Sequence, residues 1–101
     1  MSAKNILPVT FVGMRFRENY NCTELKNSNS YKLEAEPNNV HDNNAIKGLY
    51  KNVNNEWVHF GYVPRDQNKN INLQNFANTN CNYKLNLKYI NSTAIKMEII
   101  Y

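Results

Sequence analysis

Apolar and polar residues alternate with a period of two along much of the chain, and this alternation predicts short β-strands. Ile6 to Met14 reads as a first strand, with Val9, Phe11 and Val12 apolar and Gly13 as a bend or bulge. Tyr31 to Glu36 sets Tyr31, Leu33 and Ala35 against Lys32, Glu34 and Glu36, the pattern of a half-buried strand. Pro37 stops that strand, and Asn38 to Asn44 is a loop of turn formers. Ala45 to Tyr50 and Trp57 to Val63 read as third and fourth strands, with Lys51 to Glu56 as a hairpin loop between them. The clearest alternation comes last. Tyr83, Leu85, Leu87 and Tyr89 interleave with Lys84, Asn86 and Lys88, and Ile95, Met97, Ile99 and Tyr101 interleave with Lys96 and Glu98. Asn91-Ser92 lies between them, so the two runs form a hairpin.

Two segments depart from this pattern. Arg65 to Asn78 carries Leu73, Phe76 and Ala77 at helical spacing, with Asp66 where a first turn favours an acid, and predicts one short helix. Residues 17–30 are polar and turn-rich and predict no regular element. Six short strands and one helix suggest a mainly β fold, a small antiparallel barrel. A length of 101 residues fits one domain over 1–101.

Composition changes this picture little. Asparagine fills about a fifth of the chain, and runs such as Asn54-Asn55 and Asn68 to Asn72 read as compositional bias on a neutral surface. The net charge of +4 suits contact with a few phosphates rather than the wrapping of a long duplex. Cys22 and Cys81 are far apart, and neither His41 nor His59 stands at zinc-ligand spacing from them. Free thiols are expected, with a single disulfide as the minor alternative. There is no leader-like pattern and no apolar run of membrane length, so an intracellular protein with no membrane partner is expected. The three glycines are isolated, and no phosphate loop, metalloprotease, deaminase or nucleophile-elbow motif is present. The expectation is a protein that is not an enzyme and uses no cofactor or metal.

Three loop clusters remain. In Gly13-Met14-Arg15-Phe16-Arg17, an aromatic ring between two arginines suits single-strand binding, the ring stacking on a base and the guanidiniums meeting phosphates. Read alone, a core Phe16 with surface arginines is the stronger account of this cluster. In Glu36-Pro37-Asn38-Asn39-Val40-His41-Asp42-Asn43-Asn44, asparagine and aspartate side chains brace an irregular loop that aims a carboxylate. A well-made structural turn is the bland alternative. Asp42 would accept a hydrogen bond from a sugar hydroxyl and repel a phosphate in the same place, which together select a free hydroxyl end. In Phe60-Gly61-Tyr62-Val63-Pro64-Arg65-Asp66, Gly61 permits close approach, and Tyr62 and Arg65 stand within reach of a phosphate. A plain strand end with a stray arginine is the alternative there.

In this order and spacing, the clusters resemble the HIRAN family. Its pattern runs from a V-G-x-[RF]-aromatic strand end, through E/D-P-x-N-x-x-D-x-N-A-I, to G-[YH]-[VL]-P-x-[DE] before a helix. The chain supplies Phe11-Val12-Gly13-Met14-Arg15-Phe16, then Glu36-Pro37-Asn38-Asn39 with Asp42, Asn44, Ala45 and Ile46, then Gly61-Tyr62-Val63-Pro64-Arg65-Asp66. The match by motif covers about residues 8–78. The resemblance implies an OB-like or SH3-like barrel that captures the 3′-hydroxyl end of single-stranded DNA, in a replication-fork or DNA-repair context. It implies a helicase-like ATPase or another repair protein as a partner. By position, Asp42 would bond the 3′-hydroxyl and Phe16 would stack on the terminal base, where the family often has tyrosine. His41 would stack or touch phosphate, and Asn39 would bond the nucleotide or brace the loop. Arg15, Tyr62 and Arg65 would line the phosphate path. The competing expectation is a protein-interaction module of a phage or mobile element that binds a host repair or defence factor.

Overall fold

A computed structural model describes residues 5–78 and 83–101 of the chain. Six antiparallel strands form two three-stranded sheets. The first has the order β1-β6-β5, from β1 (Ile6–Phe11), β5 (Lys84–Ile90) and β6 (Ile95–Ile100). The second has the order β2-β3-β4, from β2 (Tyr31–Ala35), β3 (Ile46–Lys51) and β4 (Trp57–Tyr62). Every strand read from the alternation is present, within about a residue or two at most ends. The first is the exception. It stops at Phe11, because Gly13 takes a left-handed φ of 83° and turns the chain into a 3-10 turn at Met14–Phe16.

In β1, β2, β5 and β6 the buried positions follow the pleat, whereas β3 buries Gly48, Leu49 and Tyr50 in succession at a bulge. Val9, Phe11, Leu33, Phe60, Leu85, Ile95, Met97 and Ile99 point into one apolar core. At its centre the Phe11 and Phe60 rings meet edge to face with centroids 4.9 Å apart, joining one sheet to the other. Pro8 sits in β1, an edge strand, where the missing N–H costs no ladder bond.

Two expectations are corrected. The sheets do not close into a barrel. Among the described residues, backbone pairing between the sheets is limited to one bridge, from Val12 just after β1 to Tyr62 at the end of β4, with N–O distances of 2.8 and 2.9 Å in its two bonds. Gly61 makes that bridge possible, since a Cβ there would lie 2.7 Å from the Val12 carbonyl oxygen. The single predicted helix is also corrected, because three α-helices lie among the described residues. α1 (Cys22–Asn27) lies in the segment given no regular element. Arg65 to Asn78 divides into α2 (Arg65–Asn68) and α3 (Ile71–Asn78). The break falls where Asn70 turns its side chain to accept the amides of Asn72 and Leu73 at 2.9 and 3.3 Å, capping α3.

The asparagines are not neutral surface. Asn21 caps α1 by accepting the Glu24 amide at 3.0 Å. Asn52 accepts the amides of Asn54 and Glu56, both at 2.9 Å, and shapes the β3–β4 hairpin, where Asn55 takes a φ of 64°. Asn91 does the same for the β5–β6 hairpin through Thr93 and Ala94, both at 2.8 Å. Cys22 is exposed with a free thiol, and Cys81 lies outside the described residues, so the disulfide question falls there. No helix among the described residues is long and apolar enough to cross a membrane.

Candidate nucleic-acid interface

The site is built from the exits of β2 and β4. β2 ends at Ala35, and the chain passes through Glu36 and Pro37 into the loop that returns as β3. Asn39 organises this loop. Its amide donates to Glu36 Oε1 at 3.1 Å, while its Oδ1 accepts the backbone N–H groups of His41 at 2.9 Å and Asp42 at 3.1 Å. Asp42 Oδ1 then accepts the Asn44 amide at 2.9 Å. Three side chains thus replace regular secondary structure and fix where the Asp42 carboxylate points.

β4 and α2 close on the loop. The Tyr62 hydroxyl donates to Glu36 Oε1 at 2.7 Å. The ammonium of Lys47, on β3, lies 3.5 Å from Glu36 Oε2. Asn68 Nδ2 donates to Asp42 Oδ2 at 2.8 Å, and Arg65 Nε lies 3.6 Å from the same oxygen. Arg65 also donates to the His41 carbonyl.

A third element comes from the chain after the 3-10 turn. The Arg17 guanidinium lies over the Tyr62 ring, 5.5 Å from its centroid. Its Nη1 is 3.4 Å from His59 Nδ1, while His59 Nε2 is 3.0 Å from the Gly61 carbonyl. A carbonyl only accepts, so Nε2 carries the proton and Nδ1 is free to accept from Arg17.

Arg17, Asn39, His41, Asp42, Tyr62 and Arg65 therefore line one cavity of about 370 Å³, completed by Ala45, Val63 and Asn68. This is within the size range of sites for small ligands. Two neighbouring cavities share Asn39 and His41 with it, one running along Ala35 to Val40 and the other toward Lys69. The structure does not bring Arg15 and Phe16 into this wall. Arg15 lies over the Phe16 ring at 4.8 Å and lines a separate cavity with Tyr20, Cys22 and Lys26. Phe16 is 65 % exposed, so the reading of that ring as core fails, and Met14 is the buried residue of the turn.

The electrostatics favour a charged acceptor beside cationic donors. Hydrogen bonds from Asn68 and the Asn44 amide, helped by the charges of Arg65 and Lys69, hold the Asp42 carboxyl below the usual carboxylate range. Burial opposes ionisation of Glu36. The bonds from Tyr62 and Asn39 and the charge of Lys47 outweigh it, and its pKa is also lowered. Burial lowers that of His59, and the charge of Arg17 adds to the effect, so neutral imidazole is favoured.

Asn68, Glu36 and Lys69 also belong to the site, although the motifs alone give none of them a binding role. Asn68 is 1 % exposed and stands in an asparagine run that looks like bias. Nothing in its spacing points to Asp42, 26 residues earlier. Glu36 was visible through the Glu-Pro pair of its motif, but its bond to Tyr62 was not.

A small two-sheet β module with an acidic acceptor and two arginines in one cavity is the class that this geometry defines. The HIRAN domain family model matches residues 5–98, nearly the whole chain, and the chain belongs to that family. HIRAN domains are known in general as DNA-binding modules. No curated protein and no solved structure matches the chain.

Proposed function

We propose that this chain is a non-catalytic module that binds the 3′-hydroxyl end of single-stranded DNA in the cavity between the Asn39–Asn44 loop and α2. The observation that carries this reading is the state of Asp42. Its carboxylate is ionised and aimed by Asn44 and Asn68, and it stands in a cavity with Arg17 and Arg65. A carboxylate has about four lone-pair sites, so one oxygen still has room to accept a hydroxyl proton. The same charge repels a terminal phosphate. Arg17 and Arg65 supply donors for the phosphate that precedes the last sugar.

Phe16 serves as an outlying stacking surface. Its exposed ring, with Arg15 over it, suits an unpaired base further along the strand. His41 borders the cavity from an exposed position and meets the backbone or the last base. The Tyr62 hydroxyl belongs to Glu36, so Tyr62 supports Arg17 through its ring instead of contacting phosphate itself. Fork remodelling or repair is the setting that fits such a grip, with a helicase-like ATPase or another repair protein as partner. The pair of arginines in one cavity with Asp42 favours nucleic acid over a host protein as the ligand.

Linear and circularised single strands of one sequence test this reading by fluorescence anisotropy. An end binder takes the linear strand and leaves the circle near its non-specific affinity. Equal binding of both would overturn the reading.

A further inference from the structure

We propose that the cavity recognises a terminal sugar bearing both a 2′- and a 3′-hydroxyl, so that strands ending in a ribonucleotide are preferred to strands ending in a deoxyribonucleotide. This rests on Asp42 as the acceptor of the 3′-hydroxyl and names the sugar that site fits best.

Two hydrogen-bonding atoms beside this site are unmet. Among the described residues, Asn68 Oδ1 and Arg17 Nε are buried side-chain atoms without a partner. Both residues line the cavity that holds Asp42. The rest of Asn68 is spoken for. Its N–H donates to the Pro64 carbonyl at 3.0 Å, its own carbonyl accepts Gln74 Nε2 at 2.6 Å, and its Nδ2 donates to Asp42 Oδ2 at 2.8 Å. That last bond fixes the amide, because the reversed orientation would set oxygen against carboxylate. Oδ1 is therefore an acceptor held in place with nothing to accept. A buried acceptor in that state costs stability, and native proteins retain few of them.

The position of the atom selects the ligand chemistry. Oδ1 is one amide carbon away from the nitrogen that holds the Asp42 carboxylate. A group that donates to Asp42 and a second group that donates to Oδ1 must therefore sit side by side. The 2′- and 3′-hydroxyls of a terminal ribose are two donors on adjacent carbons. A deoxyribose supplies only the first and leaves Oδ1 unpaired. A base amino group stands across the sugar from the 3′ oxygen and does not meet both acceptors together. The 2′-hydroxyl is both donor and acceptor, and it is the group by which proteins tell RNA from DNA. Arg65 and His41 border the cavity from exposed positions, and the proposal requires an entering strand to push them aside to reach Asn68.

Four strands of one sequence test this by anisotropy at moderate salt. Three end in a 3′-hydroxyl and differ only in the last sugar, which is ribose, 2′-deoxyribose or 2′-fluoro-2′-deoxyribose. The fourth is the deoxy strand with a 3′-phosphate. The expected result is ribose about five- to tenfold tighter than deoxyribose, the gain of one added hydrogen bond. Fluorine does not donate, so the fluoro strand should bind like the deoxy strand. Equal binding of the three hydroxyl strands, with the phosphate strand weaker, overturns the ribose preference, leaves the Asp42 reading intact and assigns Oδ1 to a water. Equal binding of all four, or of none, overturns both.

Discussion

The Tyr62 hydroxyl donates to Glu36 Oε1 at 2.7 Å, linking the end of β4 to the loop after β2 across 26 residues. Glu36 Oε1 also accepts from Asn39, and Asn39 in turn holds the amides of His41 and Asp42. The tyrosine therefore acts on the shape of the Asp42 loop from a distance. Tyr62→Phe should lower stability by about 1–3 kcal/mol, the order of one lost hydrogen bond to a charged group, since Asn39 and Lys47 still serve the Glu36 carboxylate. Urea denaturation reads this. Affinity for single strands should change by less than about threefold, because the ring that supports Arg17 remains. A large affinity loss with unchanged stability would instead place the hydroxyl on the ligand.

Gly61 sets the distance between the two sheets beside the site. Its Cβ position lies 2.7 Å from the Val12 carbonyl oxygen, a backbone atom that cannot swing aside. Gly61→Ala should part the Val12–Tyr62 bridge and cost about 1–3 kcal/mol, as overpacking does. A urea midpoint equal to that of the wild type would show that the bridge is not needed.

Stability should fall on acidification, in two stages. The His59 pKa is held below its ordinary 6.5, so as pH falls the unfolded chain takes up that proton before the folded one does. Stability is then complete above 6.5 and declines as pH drops through that value toward the folded pKa. Glu36 and Asp42 are lowered from 4.5 and 3.8, so their contributions are present above those values and vanish as pH falls through the folded pKa of each. All three act in one direction. Urea midpoints measured from about pH 8 to about pH 3 should be level at first, dip below neutrality and then drop steeply. His59→Gln should remove the first dip and keep the second. A midpoint that rises on acidification would contradict this.

Salt should weaken binding modestly. With a few phosphates contacted, log affinity against log salt should have a slope of roughly −2 to −3. Arg65→Gln or Arg17→Gln should each make that slope shallower by about 1 if each guanidinium meets one phosphate. An unchanged slope in both variants would move the phosphate path elsewhere on the molecule.

What could be read in advance follows the physics of each element. Strands such as β2 and β6 were legible because their buried residues fall on one face, which forces the alternation of Tyr31 to Glu36 and of Ile95 to Ile100. The helix α1 was missed because it buries only Leu25 and so leaves no periodic apolar stripe. Its signal was local. Asn21 followed by Glu24 has the spacing of a capping box, and the Asn21 side chain does accept the Glu24 amide. The break between α2 and α3 was hidden in an asparagine run, where Asn70 caps and Asn68 is buried. The cluster of Arg17, Asp42, Tyr62 and Arg65 was legible as three motifs. The bonds joining those motifs, Glu36 to Tyr62 and Asp42 to Asn68, were not, since both span long stretches of sequence and depend on how the two sheets meet. The absence of barrel closure was equally illegible, because strand alternation fixes faces and leaves the pairing of edges open.

The charge on Asp42 is the centre of the functional reading, and one competition measures it directly. Two DNA single strands of one sequence, ending in 3′-hydroxyl or 3′-phosphate, compete for the wild-type chain and for Asp42→Asn. The wild type should favour the hydroxyl end by at least about tenfold, the order expected for one close pair of like charges together with a lost hydrogen bond. Asp42→Asn removes the repulsion and should bring the ratio near unity. Equal affinity of the wild type for both ends, or an undiminished preference in Asp42→Asn, would contradict the account.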